Sequence, residues 1–409
     1  MAGPVSCPTY SNPMATLYFL FWLSFGIVAY TYVGYGLVVW VWASLVTHFK
    51  KYSPLSSFEP SVTLVVPAYN EAEILEEKIA NCMQLDYPSD KIQMLFVTDG
   101  STDNSELILA RHPWITHLHS PTRNGKSMAE NHAMEFVNTP YVVFTDCNTQ
   151  LNPQAIRELI KHYQNPKVGA VSGEKKVRPN ASTPGAGEGL YWKYESFLKR
   201  CDSTIHSLMG AAGELVSFRS ELFFPLEPDT ILDDFVQSLR IVEKGYTVVY
   251  EPQAYATEEP SASLDAEMER KIRICAGGWQ AMSRLKALLN PFNQPIASFL
   301  YISHRVLRWS LAPVALLILI PLSLLLASFS GGFYLLSLAL QVVFYLASWQ
   351  GWITQNTTNK ALVVPLYFCM MNLAVFVGFW RYVNKAQPAA WKKASRTYHE
   401  KVVSDKASR

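Results

Sequence analysis

Asp146 and Asn148 stand one residue apart at the end of an apolar run, Tyr141, Val142, Val143 and Phe144. In an open α/β sheet, ligands gather beyond the carboxyl ends of the strands. A carboxylate there can hold a hard divalent cation, Mg2+ or Mn2+, and the cation can hold a diphosphate. The spacing points to a metal-bound sugar nucleotide; the alternative is a polar loop after a buried strand. More acidic residues recur at element ends. Asp99 and Asp103 bracket a Gly-Ser-Thr turn, and Asp233 and Asp234 are adjacent at the start of a helical stretch. Lys126 opens another helix, where a cation and the helix dipole together suit a diphosphate. A fourth group is basic: Arg270, Lys271 and Arg273.

The segments around these residues alternate. Residues 62–66 read as a buried strand ended by Pro67, followed by a helix over 71–83. A second strand over 92–97 ends in the Asp99 turn, where Gly100 marks the bend and Asp103 can cap the next helix. Short strand 116–119, helix 125–136 and the strand at Tyr141 follow. After Pro153 come a helix, a strand at 168–172, an amphipathic helix at 188–201 and a turn before apolar residues 215–218. A helix over 231–243, a strand over 247–250 and a basic helical stretch over 267–289, interrupted by Gly277 and Gly278, close the series. Strands and helices alternating at this length predict a doubly wound, mostly parallel α/β sheet.

Charge is distributed unevenly along the 409 residues, which are 49% hydrophobic and 17% charged. Residues 1–49, 310–359 and 361–380 contain no Asp, Glu, Lys or Arg. About 20 apolar residues cross a bilayer. The chain therefore divides into an N-terminal anchor (1–49), a polar domain (50–290), a possible interfacial helix (291–305), about three C-terminal membrane helices (306–384) and a basic tail (385–409). Pro313, Pro321 and Pro365 lie in or near the C-terminal runs, where membrane helices tolerate them. Lys50 and Lys51 follow the first run and place the polar domain in the cytoplasm by the positive-inside tendency, on a plasma (inner) membrane protein that crosses several times. One crossing before the domain and three after it put the tail outside, whereas its basic residues favour inside. Net charge is only +2, with no basic arm, so nucleic acid is not an expected partner. Six scattered cysteines form neither a disulfide framework nor a zinc motif. Asn180 and Asn356 open glycosylation sequons that read as chance matches on the cytoplasmic side. His48 and His304 read as residues at the membrane boundary.

In order, Pro67 to Glu71, Asp99 to Asp103, Asp146 to Asn148, Asp233 with Asp234, and Arg270 to Arg273 form a series. This series resembles the membrane-bound family 2 glycosyltransferases, the group of cellulose, hyaluronan and poly-N-acetylglucosamine synthases. The resemblance covers the polar domain and its membrane flanks. It implies a GT-A-type domain inserted between transmembrane helices, and inverting, metal-dependent transfer from a UDP-sugar to a saccharide acceptor in polysaccharide synthesis. Single addition to a lipid-linked acceptor, and an inactive nucleotide-sugar scaffold, are the alternatives.

Residue by residue, the resemblance assigns Pro67, Tyr69, Glu71, Asp99, Asp103 and Lys126 to the nucleotide. Asp99 would accept from the uracil, Tyr69 line the base and Glu71 meet the ribose. A turn with a helix cap, and a solvated lysine, are the alternatives there. Asp146 is the metal ligand, with Asn148 in the place of a second Asp, keeping a carbonyl oxygen but losing a charge. Asp234 matches the general base, with Asp233 beside it; carboxylates serving only the helix dipole are the alternative. Arg270, Lys271 and Arg273 occupy a Q-x-x-R-W position at the leaving diphosphate and the acceptor, with Arg270 replacing the Gln and Ile274 the Trp. Trp279 is a candidate for the missing stacking surface, and a basic face toward lipid headgroups is the alternative.

Overall fold

The computed structural model describes residues 13–49, 58–178, 185–261, 263–355 and 359–390. Cys7, Lys50, Lys51, both sequons and the tail beyond residue 390 lie outside the described residues. The described chain runs α1 (Pro13–Ala29), a π-helical turn (Tyr30–Gly34), α2 (Tyr35–Phe49), β1 (Val62–Ala68), α3 (Ala72–Met83), β2 (Ile92–Asp99), α4 (Ser105–Leu109), β3 (Thr116–Ser120) and α5 (Lys126–Met134). It continues through β4 (Tyr141–Thr145), β5 (Gln150–Leu151), α6 (Ala155–Ile160), β6 (Val168–Val177), α7 (Gly185–Ile205), β7 (Leu215–Arg219), α8 (Asp233–Glu243), β8 (Thr247–Glu258) and α9 (Leu264–Arg284). After these come α10 (Pro295–Tyr301), a second π-helical turn (Ile302–Val306), α11 (Leu307–Trp309), α12 (Leu311–Ser330), α13 (Gly332–Thr354) and α14 (Lys360–Val383).

Among the described residues the strands form one eight-stranded sheet in the order β3-β2-β1-β4-β7-β6-β8-β5. β1 is parallel to β2 and β4, β2 to β3, and β6 to β8. β7, expected only as an apolar stretch after a turn, is an antiparallel strand between β4 and β6. The chain leaves β1 on one side for β2 and β3, then returns to the other side for β4. A crevice therefore opens beyond the carboxyl ends of β1 and β4, where a doubly wound sheet binds its ligands. Register puts Pro67 opposite Val97 and Val65 opposite Phe144. The residues that follow β1, β2 and β4 thus share one edge.

Alternation sends successive β1 side chains to opposite faces. Val62, Leu64 and Val66 pack with Leu75 and Ile79 of α3 and Ile156 and Leu159 of α6. Val65 joins Val142 and Phe144 on the other face, in one cluster with Phe235 and Leu239 of α8. That cluster also takes in Tyr35 and Val39 of α2, Tyr301 of α10, and Ala374 and Val375 of α14. Each aliphatic side chain so buried contributes about 1.5–3 kcal/mol. The apolar helices α2 and α14 join this core through α7 and α9, against which they pack.

Among the described residues, four helical stretches are long and apolar enough to cross a membrane: Pro13–Phe49, Leu311–Ser330, Gly332–Thr354 and Lys360–Val383. The last of these keeps contact with the domain at both ends. Val363 and Leu366 cluster with Leu264 at the start of α9. Arg381 donates to Glu269 of α9 at 2.8 and 2.9 Å, and Ala390 lies 3.5 Å from a Cβ built on Gly125. Arg381, near the end of α14, therefore lies against the domain as the start of the helix does.

Three local features differ from the sequence reading. Gly277 and Gly278 do not interrupt α9. A Cβ on Gly278 would lie 2.5 Å from the Trp309 ring and one on Gly277 2.5 Å from Leu232, so both positions exist for close approach. The run 306–327 is broken at Ser310 (φ −134°, ψ −87°), and α12 starts after it. His304, expected at a membrane boundary, is fully buried. In the stretch 291–305, Leu300 and Tyr301 are fully buried while Phe292 is 93% exposed, so this segment is packed into the protein on one side.

α9 and α14 meet most closely at Gly378, where an added Cβ would stand 2.7 Å from Cys275 Cβ and 2.8 Å from the Ala276 nitrogen. Backbone cannot rotate away. Gly378→Val should lower stability by about 1–3 kcal/mol, read as a fall in melting temperature in detergent. Gly26→Val, where no atom lies within 4 Å, is the control and should not fall. Equal melts for wild type and Gly378→Val would refute this account of the contact.

Candidate active site

The turn after β4 is held from beneath by a lysine. Lys78 lies on the inner face of α3, among Ile74, Leu75, Ile79 and Cys82, and is fully buried. Its ammonium donates to the Thr149 carbonyl at 2.8 Å, Thr145 Oγ1 at 3.2 Å and Thr149 Oγ1 at 3.4 Å. Three donors meeting three oxygens offset the cost of burying the charge. Burial nonetheless pulls the Lys78 pKa down, against the nearby Cys82, Cys147 and Asp146. Asp146 and Asn148 ride on this turn, both partly exposed at the crevice.

Lys126 is the cation of the crevice. Gly125 precedes it with φ +94°, a backbone that glycine adopts without strain. The amides of Asn124 and Gly125 donate to the two carboxylate oxygens of Asp99 at 2.9 and 2.7 Å. Asp99 thereby fixes the start of α5 and aims Lys126 across the crevice. Lys126 Nζ lies 2.7 Å from Asp146 Oδ1, 3.5 Å from Asp233 Oδ2 and 3.8 Å from Glu130 Oε1. Burial lowers its pKa, and these carboxyls more than reverse the effect.

The paired aspartates differ in environment. Burial raises the pKa of Asp233, but Lys126 and Arg273 together hold it below the ordinary range. Buried Glu130 is pushed well up by burial and by the charge on Asp233, with Lys126 opposing, so it holds its proton more tightly than a free carboxyl. Asp234 is pushed up to about 7 by burial and by the charge on Asp233, with Lys126 opposing. Two neighbouring carboxyls driven apart in this way take different roles in proton transfer. Asp234 faces a cavity of about 450 Å3, and Arg273 donates to the Ile231 carbonyl at 2.9 Å, tying α9 to the start of α8.

The loops after β1 and β2 are laced together. Asn70, at φ +54°, accepts from the Thr102 amide at 2.7 Å. Asp103 accepts from the Ala72 and Ser105 amides at 2.9 and 3.0 Å, so it both clasps the two loops and helps start α4. The Arg123 guanidinium lies 3.9 Å from the centre of the Tyr69 ring. Pro67 is half-buried between buried Val66 and Ala68 near the end of β1, and the Glu71 amide donates to Ser105 Oγ at 3.2 Å.

The three basic residues of α9 divide. Arg273 shares its surroundings with Asp233, Asp234 and Asp146, and burial lowers its pKa. Arg270 and Lys271 both pair with Glu267 and line the cavity instead. Trp279 packs on Phe379 at 4.7 Å and does not line the cavity. Trp192 and Trp309 do, and sequence reasoning named neither. It also missed a buried cluster in the cavity wall. Tyr35 donates to Asp202 at 2.6 Å, and His304 Nδ1 is 2.5 Å from the same carboxylate. Glu195 lies 2.5 Å from Arg305 and 3.2 Å from Arg308. The only sequence signal for this cluster was a set of charged residues at the edges of apolar segments.

Residues 63–219 match the family model for glycosyl transferase family 2. The matched residues run from β1 to the end of β7 and stop short of Asp233 and Asp234. Poly-beta-1,6-N-acetyl-D-glucosamine synthase of Staphylococcus aureus (strain COL) is 25% identical over 231 residues, which cover 54% of this chain and 56% of the relative. The Staphylococcus epidermidis synthase is 22% identical over 264 residues, covering 60% of this chain and 64% of the relative. The chain thus spans little more than half the length of the curated relatives it matches. The mannosyltransferase PcManGT from Pyrobaculum calidifontis, solved in complex with GDP-Man and Mn2+, shares the GT-A fold. It superposes with a TM-score of 0.70 at 22% identity, covering 89% of this chain and 99% of that one.

Asp234 binds its proton more tightly in the folded protein than in the unfolded chain. Folding therefore takes up a proton between the ordinary carboxylate range, roughly pH 4, and about pH 7. The contribution of Asp234 to stability is full at the acid end and is lost as pH rises through 7. Asp234→Asn should melt higher than wild type at pH 8, by roughly 2 °C or more, and keep less than half of that advantage at pH 5. The same displacement at both pH values would show that Asp234 does not titrate near neutrality.

Proposed function

We propose that the protein is a membrane glycosyltransferase that moves a sugar, with inversion, from a UDP-sugar in the crevice to a hydroxyl of a saccharide acceptor in the cavity, in polysaccharide synthesis. The observation that carries this reading is the position of Asp234, beside the Lys126–Asp146 pair and on the wall of the 450 Å3 cavity, with a pKa near neutrality.

Asp234 removes the proton of the acceptor hydroxyl as its oxygen attacks the anomeric carbon. The bond from that carbon to the diphosphate oxygen breaks, and the electron pair leaves with UDP. Lys126 and Arg273 face the negative charge that develops there. Asp233 keeps its charge and raises the proton affinity of Asp234. Asp99, Asp103, Pro67, Tyr69 and Glu71 form the nucleoside side. Asp99 and Asp103 act there partly through the loops they hold.

A divalent ion fits the residues present. Asp146 offers a partly exposed carboxylate and Asn148 a carbonyl beside it. No group of three or more His, Cys, Asp or Glu that could cage a metal occurs among the described residues. Mg2+ and Mn2+ are commonly held by one or two carboxylates together with substrate phosphates. Bound there, the ion would neutralise diphosphate charge.

We place the catalytic domain on the cytoplasmic face of the plasma (inner) membrane. Lys50 and Lys51, which follow the first apolar run in sequence, support this orientation. A second reading, single addition to a lipid-linked acceptor, is favoured by the side chains of α14 that line the cavity.

Purified enzyme in detergent, screened with UDP-sugars for UDP release, tests the reaction. Asp234→Asn should reduce turnover by about 10²- to 10⁴-fold with its fold intact. Asp146→Ala should abolish metal-dependent release. Wild-type turnover in Asp234→Asn would sink the assignment of the base. A ladder of labelled products indicates polymer synthesis, and one product indicates single addition.

A further inference from the structure

One cation in the cavity wall has no counter-charge in contact with it. Lys199, on α7, is 4% exposed and lines the cavity with Asp234. Among the described residues it makes neither a hydrogen bond nor an ion pair within 4.0 Å. Its recorded neighbours are two aromatic faces, Trp192 with its centre at 5.4 Å and Tyr250 at 5.9 Å. The carboxylates that influence it are committed elsewhere. Glu195 is held by Arg305 and Arg308, Glu214 by Lys175 at 2.6 Å, and Glu174 accepts from Ser196 at 2.7 Å. The other cations of the wall are matched as well, Arg270 and Lys271 by Glu267, and Arg305 and Arg308 by Glu195.

A buried ammonium without an anion is costly, and the cost shows as a pKa drawn down by burial. Cation–π contact offsets part of it, by about 0.5–2 kcal/mol. An anionic group entering the cavity would offset the rest. The lining contributed by α14 sets the remaining chemistry. Tyr367, Phe368, Met371 and Val375 line the cavity with Asn372 as the polar exception, on a helix long enough to reach through a bilayer. With charged side chains from α7 and α9 and mostly apolar ones from α14, the cavity matches an amphiphile.

We propose that Lys199 is the anion-binding residue of this cavity and that the acceptor is a glycosylated lipid phosphate, its phosphate paired with Lys199 and its hydrocarbon lying on α14. The nucleophile remains a sugar hydroxyl at Asp234, so the proposal rests on the second, lipid-linked form of the transferase reading above and adds the anionic group of the acceptor and the residue that pairs with it.

Farnesyl phosphate, farnesol and inorganic phosphate separate the components. Binding to the full-length enzyme in detergent is followed by quenching of tryptophan fluorescence, since Trp192 and Trp309 line the cavity. Farnesyl phosphate should half-saturate wild type at a concentration at least tenfold below farnesol, and inorganic phosphate should bind far more weakly than either. Lys199→Met should reduce the preference for phosphate over alcohol to less than twofold, and Lys199→Arg should retain it. Equal binding of farnesol and farnesyl phosphate by wild type would overturn the proposal, and so would a preference that survives in Lys199→Met. Inorganic phosphate binding as tightly as farnesyl phosphate would overturn the lipid half. Should Lys199→Met fail to fold, the wild-type comparison decides alone. No turnover of any UDP-sugar by a wild type that keeps the phosphate preference would remove the transferase reading and leave the anion site standing.

Discussion

Lys126 faces more negative charge than one ammonium can balance. Asp146, Asp233 and Glu130 lie within 4 Å of it, and the charge of Asp234 adds to theirs. In a pocket of low dielectric such a group cannot ionise completely, and its members titrate as a set. The imbalance is resolved by position. Asp233 keeps its charge between Lys126 and Arg273, Glu130 keeps its proton, and Asp234 sits between these extremes. Much of the surrounding structure serves to keep the ammonium where it is. Asp99 ties down the two amides before it, and Gly125 supplies the left-handed turn. Lys78 fixes the turn that carries Asp146 from the opposite side.

What could be read from the sequence was local and periodic. β1, β2 and β4 are short apolar runs ended by Pro or Asp, and their parallel pairing follows from the helices between them. Asp146, Asp233 and Lys126 announced themselves by standing at element ends, and the fold brings them together. Lys78 could not be read, because a lysine at one position of an amphipathic helix looks like any surface lysine until Thr145 and Thr149 arrive from 67 and 71 residues away. Gly277 and Gly278 were misread for a related reason. A single chain displays the conformational cost of glycine in a helix, while the neighbour that requires it, Trp309, is invisible.

The ionic cluster around Glu195 and Asp202 is of the same kind. His304 meets Asp202 across 102 residues and Tyr35 meets it across 167. Its members come from α7, from the first apolar stretch and from the second π-helical turn. No spacing in the sequence joins them. π-Helical turns recur at functional sites, and here two of them touch, through the 2.8 Å contact of Tyr30 with Ser303. The polar cluster therefore lies where the apolar helices enter the protein core, and it forms one wall of the cavity that reaches Asp234.

The buried core couples the apolar helices to the sheet at second hand. Tyr35 of α2 and Val375 of α14 belong to the same cluster as Val65 and Phe144, yet α2 packs on α7, and α14 packs on α9 and α7. α7 and α9 are therefore the keel of the molecule: they hold the apolar helices on one side and carry residues of the crevice and the cavity on the other.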